Sequence, residues 1–363
     1  MIKIGQIIMY NWLKYRFEMK SVQLLAQIER FHGNWEKNKR LKPTVITSLT
    51  QTTIVTSSGA STRIEGALLS NKEVQQLLEN GCKISNLSSR SEREVTGYIK
   101  ALTYIYDNAE HLEISEKTIR EIHQLLTSDL LEDQLPQKQR GAYKDVPNDV
   151  VERNEITGKE TVWFRTTPPG IQTTTQMKEL IDNFAAAVES ELHPSIRAAL
   201  FIVHFLAIHP FRDGNGRLSR LLTSLLLLKE YKWFRYTSHE KVIEDNKEAY
   251  YITLRKTQET LHSENVDYDP WVIFFLQAVV KQTTFLEEQL INLEANKPKD
   301  NLFGNEAKVY NFLLKHGESP SSAILQIMDI SKDGLKKLLK RLVDRGLIQK
   351  VGVGKGTRYG ILI

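Results

Sequence analysis

The sequence predicts a mainly α-helical protein, with one β-hairpin in its body and a separate C-terminal unit of short helices and a strand pair. Three observations carry that reading. Before residue 295, apolar residues recur at three- and four-residue spacing in segment after segment, and Ser-x-x-Glu pairs stand where helices would start. Valine and aromatic pairs flank a turn-like stretch at 150–164. A polar run containing a proline, NKPKDN at 296–301, then sets off a shorter pattern of its own. A length of 363 residues with 41% hydrophobic content suits two or three domains. We divide the chain into an N-terminal helical segment, 1–56, a main domain, 57–295, and a C-terminal domain, 302–363.

Residues 1–42 mix basic residues with Trp12, Tyr15, Phe17, Phe31 and Trp35; a helix is expected around 22–31, and no chemistry can be assigned. Asn11, Lys14 and Arg16 interrupt the initial apolar patch, so neither a membrane span nor an export signal is expected. Past Pro43, the residues Val45, Ile46, Leu49, Ile54 and Val55 predict a helix leading into 57–66 (SSGASTRIEG). Capping boxes Ser70-x-x-Glu73 and Ser91-x-x-Glu94 open helices through Val74, Leu77 and Leu78, and through Val95, Tyr98, Ile99 and Leu102. Ser115 caps a third with Ile119, Ile122, Leu125 and Leu126, and His123 on it reads as a core residue rather than a ligand.

Across the turn-like residues 154–159, Val150 and Val151 pair with Val162, Trp163 and Phe164 as the hairpin. Residues 176–192 set Met177, Leu180, Ile181, Phe184, Val188 and Leu192 on one helical face. Residues 196–208 and 221–228 are apolar nearly all round, which suits helices buried on every side. Trp271, Phe274, Phe275, Leu276, Val279 and Val280 form an apolar closing helix.

Chemistry concentrates between the two buried helices, in His209-Pro-Phe-Arg-Asp-Gly-Asn-Gly-Arg-Leu-Ser-Arg220. A loop emptying into a helix N-terminus offers free N–H groups and the positive end of the helix dipole to an anion, phosphate above all. Gly214 and Gly216 let the backbone come close to such a ligand. Arg217 and Arg220 share one face of the first turn, where the dipole disfavours cations by about 0.3 to 1 kcal/mol each, so an anion should offset them. His209 could take a proton at neutral pH, and Asp213 is a hard oxygen ligand for Mg²⁺ beside phosphates. Together these suit a nucleotide reaction.

The string matches His-Pro-Phe-x-Asp-Gly-Asn-Gly-Arg-x-x-Arg throughout and so resembles the signature of the Fic (filamentation) family, protein adenylyltransferases that move AMP from ATP to a hydroxyl of a target protein. The resemblance implies a Fic-type helical bundle with His209 as catalytic base and Asp213 as Mg²⁺ ligand. It also implies that Gly214, Asn215 and Gly216 cradle the anion, that Arg217 and Arg220 bind the outer phosphates, and that Ser219 belongs to the ATP site. Upstream, Ser61-x-x-x-Glu65-Gly66 is similar to the family's inhibitory motif, which implies that Glu65 pairs with Arg220 and blocks the γ-phosphate, with Ile64, Leu68 and Leu69 anchoring the turn. The hairpin would be the flap over the site, with Trp163, Phe164, Arg165 and Thr166 as flap residues aligning the target by strand addition. Its usual Gly-x-aromatic-Arg lead-in is here Gly141-Ala-Tyr-Lys144, with Lys in place of Arg. Tyr250, Tyr251 and Gln258 fall where relatives hold the adenosine. The target protein, self included, and a homodimer are further partners to consider.

The C-terminal pattern predicts helices 305–315, 320–328 and 332–345 and a two-stranded wing in 348–363, and resembles a winged helix-turn-helix domain. Residues 303–363 hold eleven Lys or Arg against five acids, a net +6 in a chain of net +5. Lys332, Lys336, Lys337, Lys340 and Arg341 gather around the expected recognition helix, and Lys350, Lys355 and Arg358 on the wing, so DNA is a candidate partner. One cysteine, Cys82, excludes an internal disulfide or Cys-based metal cluster and suits the cytoplasm. Two further readings stay open: the reverse reaction, removal of AMP with Glu65 positioning water, and a DNA-binding regulator with a nucleotide-sensing core.

Overall fold

The computed structural model describes residues 12–37, 43–83, 87–153, 160–263, 265–295, 302, 304–352 and 354–361. The expected hairpin tip, 154–159, the linker 296–301 and the Lys355 side chain lie outside the described residues. Contacts divide the chain into two compact units, 1–286 and 287–363. The expected boundary at residue 56 is corrected: helix α2 (Pro43–Ile64) runs through it, buries Ser57, Ser58, Ser61 and Thr62, and so joins the N-terminal segment to the body.

The first unit begins with α1 (Met19–Lys37) and α2, and continues through α3 (Asn71–Glu79), α4 (Arg90–Asn108) and α5 (Glu116–Leu126). An antiparallel hairpin follows, β1 (Val150–Arg153) with β2 (Glu160–Phe164), Val151 opposite Val162. Then come α6 (Ile171–Glu189), α7 (Pro194–Ile208), α8 (Asn215–Leu228), α9 (His239–Asp245), α10 (Lys247–Thr260) and α11 (Asp269–Ala295). The centre is α7 against α8, with α6 and α10 on α7, α4 and α5 on α8, and α2 between α4 and α9. Every described residue of α8 except Gly216 is buried, which is why its second half, 221–228, carries no charged residue.

Two hydrogen bonds tie buried polar side chains across this core. Trp271 Nε1 donates to Ala199 O at 2.8 Å, and His204 Nε2 meets the Tyr268 hydroxyl at 2.8 Å. Gly97 sits mid-helix in α4 because α5 ends against it: a Cβ there would lie 2.1 Å from the Leu126 carbonyl oxygen. Ser70 with Glu73 and Ser115 with Thr118 cap α3 and α5. At α4 the box is Ser89 with Glu92, not Ser91 with Glu94, because the Glu94 side chain is turned inward. Met177 and Leu180 are buried as expected, but Val188 is 43% exposed at the end of α6 and leaves the packed face.

The second unit comprises α12 (Asn305–His316), β3 (Ser319–Pro320), α13 (Ser321–Leu325), α14 (Lys332–Asp344), β4 (Ile348–Val351) and β5 (Arg358–Ile361). Its sheet has three strands in the order β3-β5-β4, so the two-stranded wing gains Ser319 and Pro320 opposite Tyr359 and Arg358. The expected helix 320–328 closes early, at Leu325. Val309, Leu313, Ile324, Leu335, Leu339, Leu342 and Ile348 fill its core. Opposite the leucine face of α14, Lys332, Lys336, Lys337 and Lys340 are exposed. Arg341 is exposed as well, with its Nε paired to Glu306 at 2.6 Å, and Arg345 takes the other oxygen at 2.8 Å.

Candidate active site

The loop from α7 to α8 is built by its own side chains. His209 caps α7 in the left-handed region, φ 51, a conformation that costs a non-glycine residue roughly 1 to 2 kcal/mol. Asn215 holds the turn by accepting from Phe211 N at 2.9 Å and donating to Phe211 O at 2.6 Å. Gly214 supplies the second left-handed residue, φ 82, from which α8 starts.

Residues outside the string brace it. His123 accepts from Gly141 N at Nδ1, 2.8 Å, so its proton is on Nε2, which donates to Asp213 O at 3.0 Å, and its ring stacks on Phe211 at 3.9 Å. The core reading of His123 holds, but its polar edge is spent on the loop. Lys144 donates from Nζ to Ile208 O at 3.1 Å, Thr166 Oγ1 at 2.8 Å and Asn148 Oδ1 at 2.6 Å, and Asn148 Nδ2 donates to His209 O at 3.1 Å. Lysine therefore makes a bridging contact of its own at the position where arginine is usual. Burial lowers its pKa to about 8.

These elements frame a cavity of about 500 Å³. His209 lines it, with Nδ1 donating to Leu206 O at 3.3 Å, which leaves the Nε2 lone pair as the basic site. Burial, then the Lys144 charge, lowers its pKa to about 4, so the ring is neutral at pH 7. Asp213 takes the Gly214 N–H at 2.6 Å and Arg217 Nη2 at 3.2 Å on Oδ1. Burial raises its pKa, but Arg217, Gly214 N–H and Arg90 outweigh that and hold it below the usual range.

Arg220 is buried and committed to the end of α2. Its Nε donates to Ser61 Oγ at 2.8 Å, and its Nη2 to Ser61 O at 3.0 Å and Glu65 Oε1 at 2.7 Å. Burial opposes ionisation of Glu65, yet Arg220 and then Arg217 carry its pKa below the usual value. The Glu65 carboxylate also lies over the start of α8, where a Cβ on Gly216 would meet Oε1 at 2.4 Å. Ile64 and Ala67 anchor this turn, closed by Gly66 at φ 98, whereas Leu68, expected to help, is 90% exposed.

Of the residues expected at the site, Glu65, Trp163, His209, Asp213, Gly214, Asn215, Gly216, Arg217, Arg220, Tyr250, Tyr251 and Gln258 line the cavity. Ser219 does not; its hydroxyl turns back to Gly216 O at 2.7 Å. Ser61 bonds Arg220, and Gly66 closes the turn that carries Glu65. Of the four expected flap residues Trp163 lines the cavity, joined by Val150 and Val151 of β1, while β2 ends at Phe164, Arg165 is exposed, and Thr166 is buried on Lys144. Arg90, Glu94, Arg212 and Arg255 also line the cavity and were not expected. The Arg255 guanidinium lies 3.8 Å from the centre of the Trp163 ring and latches the flap to α10. Counting all ionised side chains of the lining, five arginines face three carboxylates.

Residues 113–227 match the family model described as Fic/DOC family. They form a Fic/DOC family domain. The chain is 29% identical over 170 residues to protein adenylyltransferase fic-1 of Caenorhabditis elegans, 46% of this chain and 30% of that protein. Protein adenylyltransferase Fic of Drosophila willistoni is 29% identical over 171 residues, 47% of this chain and 31% of that protein. The chain thus spans about a third of the length of these curated relatives. A crystal structure of a Fic family protein from Desulfovibrio desulfuricans G20 matches with TM-score 0.65 at 21% identity, covering 96% of this chain and 97% of that one. Fic-1 of C. elegans matches with TM-score 0.58 at 22% identity, over 76% of this chain and 73% of that one. Both share the fold. Beyond the Fic domain, residues 299–361 match the model of the sugar-specific transcriptional regulator TrmB, in keeping with a winged helix. No described helix is long and apolar enough to cross a membrane.

The Fic domain fits Mg²⁺ brought in with a nucleotide. No group of three His, Cys, Asp or Glu gathers into a metal cage among the described residues. Asp213 instead offers one carboxylate, one-third exposed, at the cavity wall, and Mg²⁺ commonly takes one or two carboxylates and completes its shell with phosphates and water.

Proposed function

We propose that the chain is a protein adenylyltransferase that moves AMP from ATP to a hydroxyl of a target protein, and that Glu65 holds it back. One observation supports this above the others: a neutral imidazole, a carboxylate and a guanidinium-rich helix N-terminus line the same cavity. The triphosphate would lie on the N-terminus of α8 against Arg217 and Arg220, with the adenosine toward Tyr250, Tyr251 and Gln258. His209 Nε2 takes the proton of the target hydroxyl, whose oxygen bonds to the α-phosphorus as the bond to the bridging oxygen of pyrophosphate breaks. Asp213 would hold Mg²⁺, which would neutralise charge on the phosphates.

Glu65 takes the Arg220 nitrogen that an outer phosphate would need and sets a negative charge where that phosphate would sit. Glu65→Gly should therefore raise AMP transfer at least about tenfold, the worth of roughly 1.4 kcal/mol. Intact mass after incubation with ATP and Mg²⁺ checks it: added AMP on the variant, on itself or on a supplied target, supports autoinhibition, and equal or lower transfer than wild type overturns it.

We also propose that the second unit contacts DNA through the exposed lysines of α14, an idea supported by their segregation from its leucine face and by the TrmB match. Phosphate neutralisation by these four lysines predicts a fall in affinity of roughly a hundredfold between 50 and 200 mM salt. Fluorescence anisotropy with labelled duplex measures it, and a salt-independent affinity contradicts it.

A further inference from the structure

Arg90 lines the cavity and has no part in the function proposed above. Arg90 is the first residue of α4, where the helix dipole disfavours a cation, so its place there is offset by the carboxylates it meets. Its Nε pairs with Glu94 at 2.8 Å and its Nη2 with Asp213 Oδ2 at 2.9 Å. Arg217 meets the same two carboxylates, sharing Glu94 Oε1 with Arg90 at 3.2 Å and taking the other Asp213 oxygen, Oδ1, at 3.2 Å. The result is a ring of two guanidiniums and two carboxylates.

The members of the ring are not equivalent. Arg217 is 4% exposed and Glu94 10%, whereas Arg90 is 50% exposed and Asp213 33%. Glu94 keeps Arg217 if Arg90 leaves, so removing Arg90 strands no buried charge. Asp213 Oδ1 is tied down by Gly214 N–H and Arg217, while Oδ2, on the side Arg90 covers, is the oxygen left to a metal. A divalent cation and a guanidinium on the same carboxylate oxygen repel each other, so one must give way.

We infer that Arg90 is a placeholder cation on Asp213, a positioning residue that competes with the incoming divalent metal and so sets the metal concentration at which nucleotide is accepted. This rests on the reading of the cavity as a Mg²⁺–nucleotide site. In the metal-free protein Arg90 holds Asp213 Oδ2; when a metal arrives, Arg90 swings out through the solvent-exposed side of the ring.

The test uses the full chain with Glu65→Gly as background and follows ATP binding by calorimetry across a Mg²⁺ series. Adding Arg90→Gln should lower the half-saturating Mg²⁺ by roughly two- to fivefold, the worth of a half-exposed ion pair. Arg90→Lys, which restores the charge without the fork, should fall between the two. Unchanged or increased Mg²⁺ requirement in Arg90→Gln, with ATP still bound, overturns the inference alone. Failure of every variant to bind ATP at any Mg²⁺ concentration overturns it together with the nucleotide reading.

Discussion

Replacing His209 with Ala should cut AMP transfer by about 10² to 10⁴, the usual contribution of a positioned general base, while leaving ATP affinity near that of the parent. The separation follows from what each group faces. In the proposed binding mode the phosphates would lie on the N-terminus of α8, Arg217 and Arg220, whereas His209 presents its Nε2 lone pair from the end of α7 with Nδ1 held by Leu206 O. Because residue 209 is left-handed, alanine there brings backbone strain of its own, and His209→Asn, which tolerates that region better, serves as the second variant. Radiolabel transfer from α-labelled ATP, set beside ATP binding to the same proteins, measures both effects. Transfer by both variants at the parental rate would remove His209 from the role of base.

Acid should destabilise the helical body well before its carboxylates are protonated. His123, His204 and His239 are buried, and burial lowers their pKa values to about 4, 3 and 3. In the unfolded chain each returns to about 6.5. Between pH 6.5 and 4 the unfolded state therefore binds more protons than the folded one. The stability that neutral burial supplies is complete above pH 6.5 and is lost as pH falls toward the folded values. Each ring contributes a slope of up to about 1.4 kcal/mol per pH unit, so the three together cost roughly 4 kcal/mol per unit. His209 adds to the same trend. Urea unfolding at pH 7.5 and 5.5 should show a loss on the order of 3 to 4 kcal/mol, and coincident curves at the two pH values would contradict it.

Much of the site was legible because its chemistry is local. Residues 209–220 are contiguous, and a loop feeding a helix N-terminus has one physical meaning wherever it occurs. Buried α7 and α8 were legible for a similar reason, since apolarity on every face leaves no surface to expose. What escaped notice depends on distant partners. Two capping boxes overlap in 89–94, and only the position of Arg217 decides that Glu94 is needed inside and Ser89 with Glu92 must cap. Arg90 and Arg255 are charged helix residues of a kind usually solvated; they become part of the cavity because Asp213 and Trp163 are brought to them. Thr166 was read as flap, yet Lys144 draws its hydroxyl into the body. The partner of Arg341, Glu306, is equally distant in sequence and lies on another helix.

The central claim is that a nucleotide's triphosphate binds at the N-terminus of α8 and that Glu65 occupies part of its place. Calorimetric titration of ATP with Mg²⁺ into wild type and Glu65→Gly tests it most directly. The account predicts measurable binding to both and at least about tenfold tighter binding to Glu65→Gly, roughly 1.4 kcal/mol. No heat of binding to Glu65→Gly, or equal affinities in the two proteins, would contradict it.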